Sequence, residues 1–182
     1  MRGADTFQQM RRLVLVLTAL AALAAPAAAL AAHDAAGDGT LVVKNGQAPA
    51  DTSPKVPVVS MTITGSVIGE VKNAWGKVII DAGPTGGGVD VTGAGASTGG
   101  LASDTARQWT SLDGFKFRAV GGTFTILVYG SHVNLVAVGT GKVQLAGMPD
   151  MASGDGRYSF NGDPFVSLPA VQTKKLSIGS DG

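Results

Sequence analysis

The chain has 182 residues, no cysteine and almost balanced charge, with 14 Lys and Arg against 13 Asp and Glu. The lack of cysteine excludes disulfides and thiolate metal sites. The balanced charge excludes the clustered basic footprint that nucleic acids and anionic lipids need. Glycine is abundant, with 27 residues, and the length beyond the N-terminal segment suits one domain with its own core.

Residues 1–32 predict export. A basic start is followed by an uncharged run from Leu13 to Ala32, and this run ends in small residues, as signal peptides do. Pro26 interrupts the helix because proline lacks an N–H and clashes with the preceding turn. We expect cleavage between Ala29 and Ala32, which would leave a secreted or envelope-associated protein with no membrane span.

Two alternatives for this segment stay open. The 20 uncharged residues could just span a bilayer as a retained anchor. Arg11-Arg12 also leaves twin-arginine export open beside the general secretory route. Removal of the segment lowers Lys plus Arg from 14 to 11 and Asp plus Glu from 13 to 12, which gives a mature net charge of about −1.

The first part of the mature chain, 33–57, is predicted as a flexible lead-in with one short strand at 40–44. A single β domain is then predicted over 58–168. Its first strand alternates apolar and polar residues around Val59, Met61 and Ile63, the period of a half-buried strand. Gly65 interrupts that strand and predicts a bulge or bend, and a second strand follows at 77–81.

The middle and end of the domain are predicted as a glycine-rich loop and a β-meander. The loop covers 83–104, with one brief strand at 89–92. A hairpin over 115–129 is predicted to turn at Gly121-Gly122. The meander then runs along 133–138, turns at Gly139-Thr140-Gly141 and returns along 142–145. Short strands are expected at 158–160 and 165–168, and the tail 169–182 is expected to be flexible.

Several residues recur at an offset of 65 positions. Gly65-Ser66 recurs as Gly130-Ser131, and Gly76-Lys77-Val78 recurs as Gly141-Lys142-Val143. We interpret this as a duplication, although glycine-turn β-proteins can reach similar patterns by composition alone. The predicted fold is therefore all-β: an antiparallel β-sandwich or small barrel built from two similar meanders, after an N-terminal signal peptide.

The stretches 121–126 and 139–145, together with the alanine-rich signal, resemble small exported β-proteins found in actinobacteria. The resemblance covers about 58–168. The resemblance implies a similar type of β fold and an extracellular location. Those proteins have no assigned activity, so the resemblance implies no catalytic residues.

The sequence contains few residues of the types that commonly act in catalysis. His33 and His132 are the two histidines, and Glu70 is the one glutamate. A carboxylate pair for polysaccharide hydrolysis would need Glu70 beside Asp81 or Asp113, and nothing in their spacing brings them together. We therefore expect a protein that is not an enzyme and carries no cofactor and no metal.

Trp75 and Trp109 are the candidate ligand-binding residues, because flat aromatic faces can stack on sugars. The alternative is that each ring covers an end of the β core. The expected role is an exported, non-catalytic binding or structural protein of the cell envelope or extracellular space, with an envelope polysaccharide or a surface protein as partner. A polysaccharide-acting enzyme and a self-associating surface or adhesive protein are the alternatives, and the oligomeric state stays open.

Overall fold

The structure is a computed structural model that describes residues 39–47, 56–72, 75–84, 86–97, 101, 103–147, 156–169 and 174–179. The described chain forms eleven strands and no helix. The strands are β1 (Gly39–Gly46), β2 (Val59–Lys72), β3 (Gly76–Asp81), β4 (Gly88–Thr92), β5 (Gly95–Ser97), β6 (Ala106–Ser111), β7 (Gly114–Tyr129), β8 (Val133–Leu145), β9 (Arg157–Phe160), β10 (Val166–Ser167) and β11 (Lys174–Ile178).

All eleven strands belong to one antiparallel sheet. Its main order is β10-β9-β1-β8-β2-β7-β3-β6-β5, while β11 also pairs with β8 and β4 also pairs with β7. The three central strands β8, β2 and β7 are long, with 13, 14 and 16 residues. Each outer edge of this trio is shared by two shorter strands, β1 and β11 along β8, and β4 and β3 along β7.

Glycines lie where the three long strands bend. Gly65 pairs with Gly139 on one side and with Gly122 on the other, and the pairing shifts by one residue beyond it, so that Gly121 is the extra residue of a bulge. A Cβ on Gly65 would lie 2.2 Å from the carbonyl oxygen of Val138. Because only glycine allows this backbone approach at positive φ, the bend is fixed by the sequence.

The bend divides the sheet into two halves. We call the first the threonine half: β3, β11, 58–64 of β2, 123–129 of β7 and 140–145 of β8, with β6 and β5 beyond β3. The valine half contains β1, β4, β9, β10 and the remaining parts of the long strands. In both halves the inward side chains join one apolar cluster, which includes Phe117 in the valine half and Phe124 in the threonine half.

Contacts between the two halves show how the sheet folds over its core. The backbone N–H of Gly147, after β8, donates to the carbonyl of Pro169, after β10, at 2.8 Å. A Cβ on Gly76 would lie 2.7 Å from Val71 Cγ1, which belongs to the other half. The outermost strands β10 and β5 do not pair, so the sheet is not closed into a barrel.

The predicted all-β antiparallel class is confirmed, and so is the bulge at Gly65. The predicted hairpin turn at Gly121-Gly122 is wrong, because β7 continues through both residues as one bulged strand. The predicted turn at 139–141 is wrong for the same reason, since β8 runs unbroken from Val133 to Leu145. These glycines bend strands rather than reverse them.

Two further regions differ from expectation. Residues 174–178 of the predicted flexible tail pair with β8 as β11. The predicted loop 83–104 contains β5 in addition to β4, and β4 confirms the brief strand predicted at 89–92. The repeat positions also differ in setting: Gly65 lies inside β2, whereas Gly130 lies in the turn after β7. The predicted signal segment 1–32 lies outside the described residues.

Candidate ligand-binding face

The outer surface of the threonine half carries rows of hydroxyl side chains. Thr64 pairs with Thr123 on one neighbouring strand and with Thr140 on the other. The hydroxyls of Thr64 and Thr123 share a hydrogen bond of 2.8 Å. The next row holds Thr62 and Thr125, whose hydroxyls lie 3.4 Å apart. All five side chains are exposed, so strand alternation gives this face an ordered hydroxyl surface, which we call the threonine face.

An aromatic and cationic group lies at the β3 end of the threonine face. Lys77 of β3 pairs with Tyr129 of β7, and the Lys77 Nζ lies 4.2 Å from the centre of the Tyr129 ring. The same Nζ lies 5.9 Å from the centre of the Trp75 ring, and Trp75 is 36% exposed. Burial raises the pKa of Tyr129, so its phenol remains a neutral hydrogen-bonding group at physiological pH.

A shallow cleft of about 450 Å³ lies at the opposite side of the threonine face. Its polar lining comes from three neighbouring strands: Ser60 and Thr62 on β2, Lys142 and Gln144 on β8, and Ser177 on β11. These residues adjoin because Thr62 pairs with Lys142, which in turn pairs with Ser177. The described residues of this cleft thus offer hydroxyl, amide and ammonium groups and include no carboxylate.

The two tryptophans predicted as ligand-binding residues are not brought together. Trp109 lies in β6 opposite Val78, a core residue of β3, and packs against the core. Trp75 instead contacts Lys77, whose strand position alternates with Val78 and therefore points to the outer face. Of the two tryptophans, Trp75 is therefore the one with an exposed ring.

The valine half carries a second cleft, of about 390 Å³, whose lining includes both Glu70 and Asp113. Glu70 forms ion pairs with Lys72 at 3.3 Å and with Lys116 at 3.9 Å. The pairing of β2 with β7 therefore brings to one cleft two carboxylates that sequence spacing left apart. Both lysines also line the cleft, which makes it a mixed-charge site.

Asp81, the other partner considered for Glu70, has a structural role at the end of β3. Its Oδ1 accepts hydrogen bonds from the Thr105 hydroxyl at 2.5 Å and from the Gly83 N–H at 2.9 Å. These bonds, with that from Thr105 the larger cause, lower the pKa of Asp81 below its ordinary value. The carboxylate thus fixes the start of the segment that follows β3.

His132 lies in the turn between β7 and β8, with a positive φ of 54°. Its Nδ1 is buried and has no hydrogen-bond partner, while its carbonyl accepts from the Lys72 N–H at 3.3 Å. Ser131 lies in the same turn. The turn therefore joins β7 to β8 and ties the end of β2 to them.

Sequence reasoning missed Lys77, Tyr129 and Lys142 as members of this face. The spacing of Trp75 and Lys77 by two residues could have indicated a shared side. The partners Tyr129 and Lys142 depend on the register between distant strands, which the wrongly predicted turns concealed.

Within the described ranges, no three His, Asp or Glu side chains come together in a way that could hold a metal ion. The same ranges contain no helix that is both long and apolar enough to cross a membrane. Comparison of the chain with models of protein families, with curated proteins and with solved structures found no match.

Proposed function

We propose that this chain is an exported, non-catalytic protein that binds polysaccharide of the cell envelope or extracellular space through the threonine face. The observation that carries the proposal is the exposed Trp75 ring beside Lys77 and Tyr129 at one end of an ordered hydroxyl surface. The export part rests on residues 1–32, whose basic, apolar and small-residue order is that of a signal peptide.

The chemistry of the face suits a sugar polymer. Hydroxyl and amide side chains exchange hydrogen bonds with sugar hydroxyls in both directions. An aromatic ring adds apolar area against the C–H face of a pyranose, with its polar edge left in water. The strands fix the backbone positions of these threonines, and a β-branched side chain has few χ1 states to lose, so the ordering cost that opposes binding is small.

The experiment is co-sedimentation of the full-length protein with cell-wall fragments and with insoluble polysaccharides. We expect saturable binding that Trp75→Ala weakens at least about tenfold, because an anchoring aromatic side chain contributes 1–2 kcal/mol or more. Phe165→Ala is the matched control. Phe165 is 39% exposed and also has a lysine above its ring, Lys44 at 4.5 Å, but it lies in the valine half.

Binding that survives in Phe165→Ala and is lost in Trp75→Ala supports the proposed face. Equal loss in both variants would contradict a site at Trp75. A protein that sediments with no polysaccharide, or that sediments alone, would overturn the proposal and favour a protein partner or self-association.

A second candidate function is hydrolysis of an envelope polysaccharide, and the cleft that contains Glu70 and Asp113 favours it. Two carboxylates at one cleft are the minimum that glycoside hydrolysis requires. The same polysaccharides would be assayed for released reducing ends. If Glu70→Gln and Asp113→Asn each abolish the release of reducing ends, the protein is an enzyme that uses this cleft. If both variants are as active as the parent protein, this cleft is excluded as the catalytic site.

A further inference from the structure

The threonine face carries two lysines, Lys77 and Lys142, that form no ion pair with a carboxylate of the described residues. In the described parts of the chain, both ion pairs involve Glu70 of the valine half. Lys142 is exposed, lines the cleft with hydroxyl and amide groups, and forms no ion pair with any described residue. Asp81 lies opposite Thr125, three strand spacings from Lys142. Its carboxylate accepts hydrogen bonds from the Thr105 hydroxyl and the Gly83 N–H and forms no ion pair with Lys77 or Lys142.

Lys77 is a second ammonium group on this face, and its position is defined. Its Nζ lies 4.2 Å from the centre of the Tyr129 ring and 5.9 Å from the centre of the Trp75 ring. A cation over aromatic rings is attracted by their negative faces. An ammonium group also has three donors, so Lys77 can donate to an anionic group on a sugar that stacks on Trp75.

The register of the strands sets the separation between the two lysines. Lys77 lies opposite Tyr129, and four residues earlier Thr125 lies in the row that continues through Thr62 to Lys142. Three strand spacings across the sheet and four residues along it place the two backbone positions about 20 Å apart. Thr125 and Thr62 lie between the two lysines along the row of Lys142. The row of Thr64, Thr123 and Thr140 lies on the side of Lys142 away from Lys77.

From this arrangement we infer that the ligand is an anionic polysaccharide, whose carboxylate or phosphate groups contact Lys77 and Lys142 while its hydroxyls contact the threonine rows. This inference rests on the proposed function, since it specifies the polymer that the same face binds. A chain with repeating negative charge can reach both lysines at once, so that one contact raises the effective concentration at the other.

The test measures binding of the full-length protein to three soluble polymers by affinity electrophoresis. Polygalacturonate supplies carboxylates, poly(glycerol phosphate) supplies phosphodiesters, and dextran is neutral. We expect tighter binding to at least one anionic polymer than to dextran, and the better of the two identifies the anionic group. Lys142→Gln and Lys77→Gln should each weaken that binding about two- to fivefold, as expected for one exposed ion pair.

Lys44→Gln is the matched control, because Lys44 also lies over an aromatic ring but belongs to the valine half, and we expect it to bind like the parent protein. An increase in NaCl from about 0.05 to about 0.5 M should weaken binding to the anionic polymer, since exposed charges are screened. Equal binding to dextran and to both anionic polymers, unchanged in Lys142→Gln, would overturn this inference and leave the proposed function intact. If the protein binds none of the three soluble polymers and no insoluble polysaccharide, both this inference and the proposed function are overturned.

Discussion

The two halves of the sheet share one core but present different outer surfaces. On the threonine half, outward positions carry Thr62, Thr64, Thr123, Thr125 and Thr140. On the valine half, an apolar row crosses three neighbouring strands through Val42, Val136 and Ile68, with Ile68 42% exposed. Two of the long strands, β2 and β8, supply residues to both surfaces.

This difference shows that a single strand can serve two chemical purposes when it bends. β2 places Thr62 and Thr64 outward before Gly65, and Ile68 outward after it, without any change in which side faces the core. The inward residues must match each other because they pack in one cluster. The outward residues are under no such constraint, so each half can carry its own surface.

The largest effect is expected where the halves meet. Gly65→Ala would place a Cβ 2.2 Å from the Val138 carbonyl oxygen, at a φ of 151° that L-residues rarely adopt. Overpacking and backbone strain together should lower the free energy of unfolding by about 2–4 kcal/mol. Urea denaturation followed by circular dichroism measures this change.

Gly95→Ala is the control for that substitution. A Cβ at Gly95 would meet no atom within 4 Å, and a surface change of this kind should stay within about 0.5 kcal/mol. If Gly65→Ala lowered the free energy of unfolding no more than Gly95→Ala does, the close approach of β2 and β8 would not require glycine at the bend.

A smaller effect is expected from the tryptophans, which belong to one half but differ in burial. Trp109→Ala should lower the free energy of unfolding by about 1–3 kcal/mol, because this ring packs against the core from β6. Trp75→Ala should change it by less than about 1 kcal/mol, since this ring is 36% exposed and, unlike Trp109, is not among the side chains that pack against the core cluster. Thermal unfolding of both variants measures the contrast, and equal losses would show that Trp75 is a core residue.

The strands were predictable from period two, because residues such as Val59, Met61 and Ile63 must face one core. Their lengths were not. A glycine pair such as Gly121-Gly122 has the composition of a hairpin turn, and only the partner strands decide whether the chain reverses there or bulges. The pairing of 174–178 with β8 likewise depends on a distant edge that local sequence does not reveal.

The candidate site was predictable only in part, for the same physical reason. Trp75 could be selected as an aromatic residue in a polar, glycine-containing stretch, and so could Trp109, although their burial differs. Lys142 became a candidate only when the register placed it beside Thr62 and Ser177. Register over long antiparallel strands is set by the whole buried face, which no short motif encodes.

The smallest expected effect concerns how each half holds a carboxylate. Asp81 of the threonine half accepts hydrogen bonds from Thr105 and Gly83, which lower its pKa below the ordinary value of 3.8. Its contribution to stability is therefore complete above about pH 4 and is lost as the pH falls through the lowered pKa of the folded state. The difference in unfolding free energy between the parent protein and Asp81→Asn should shrink below that pH.

Glu70 of the valine half forms ion pairs with Lys72 and Lys116 instead of accepting such hydrogen bonds. The loss of unfolding free energy in Glu70→Gln should therefore become smaller with added salt, while the loss in Asp81→Asn should change little. Unfolding titrations at two salt concentrations and across this pH range distinguish a carboxylate held by hydrogen bonds from one held by ion pairs. An Asp81→Asn cost that salt abolishes would show that ion pairing, rather than hydrogen bonding, holds Asp81.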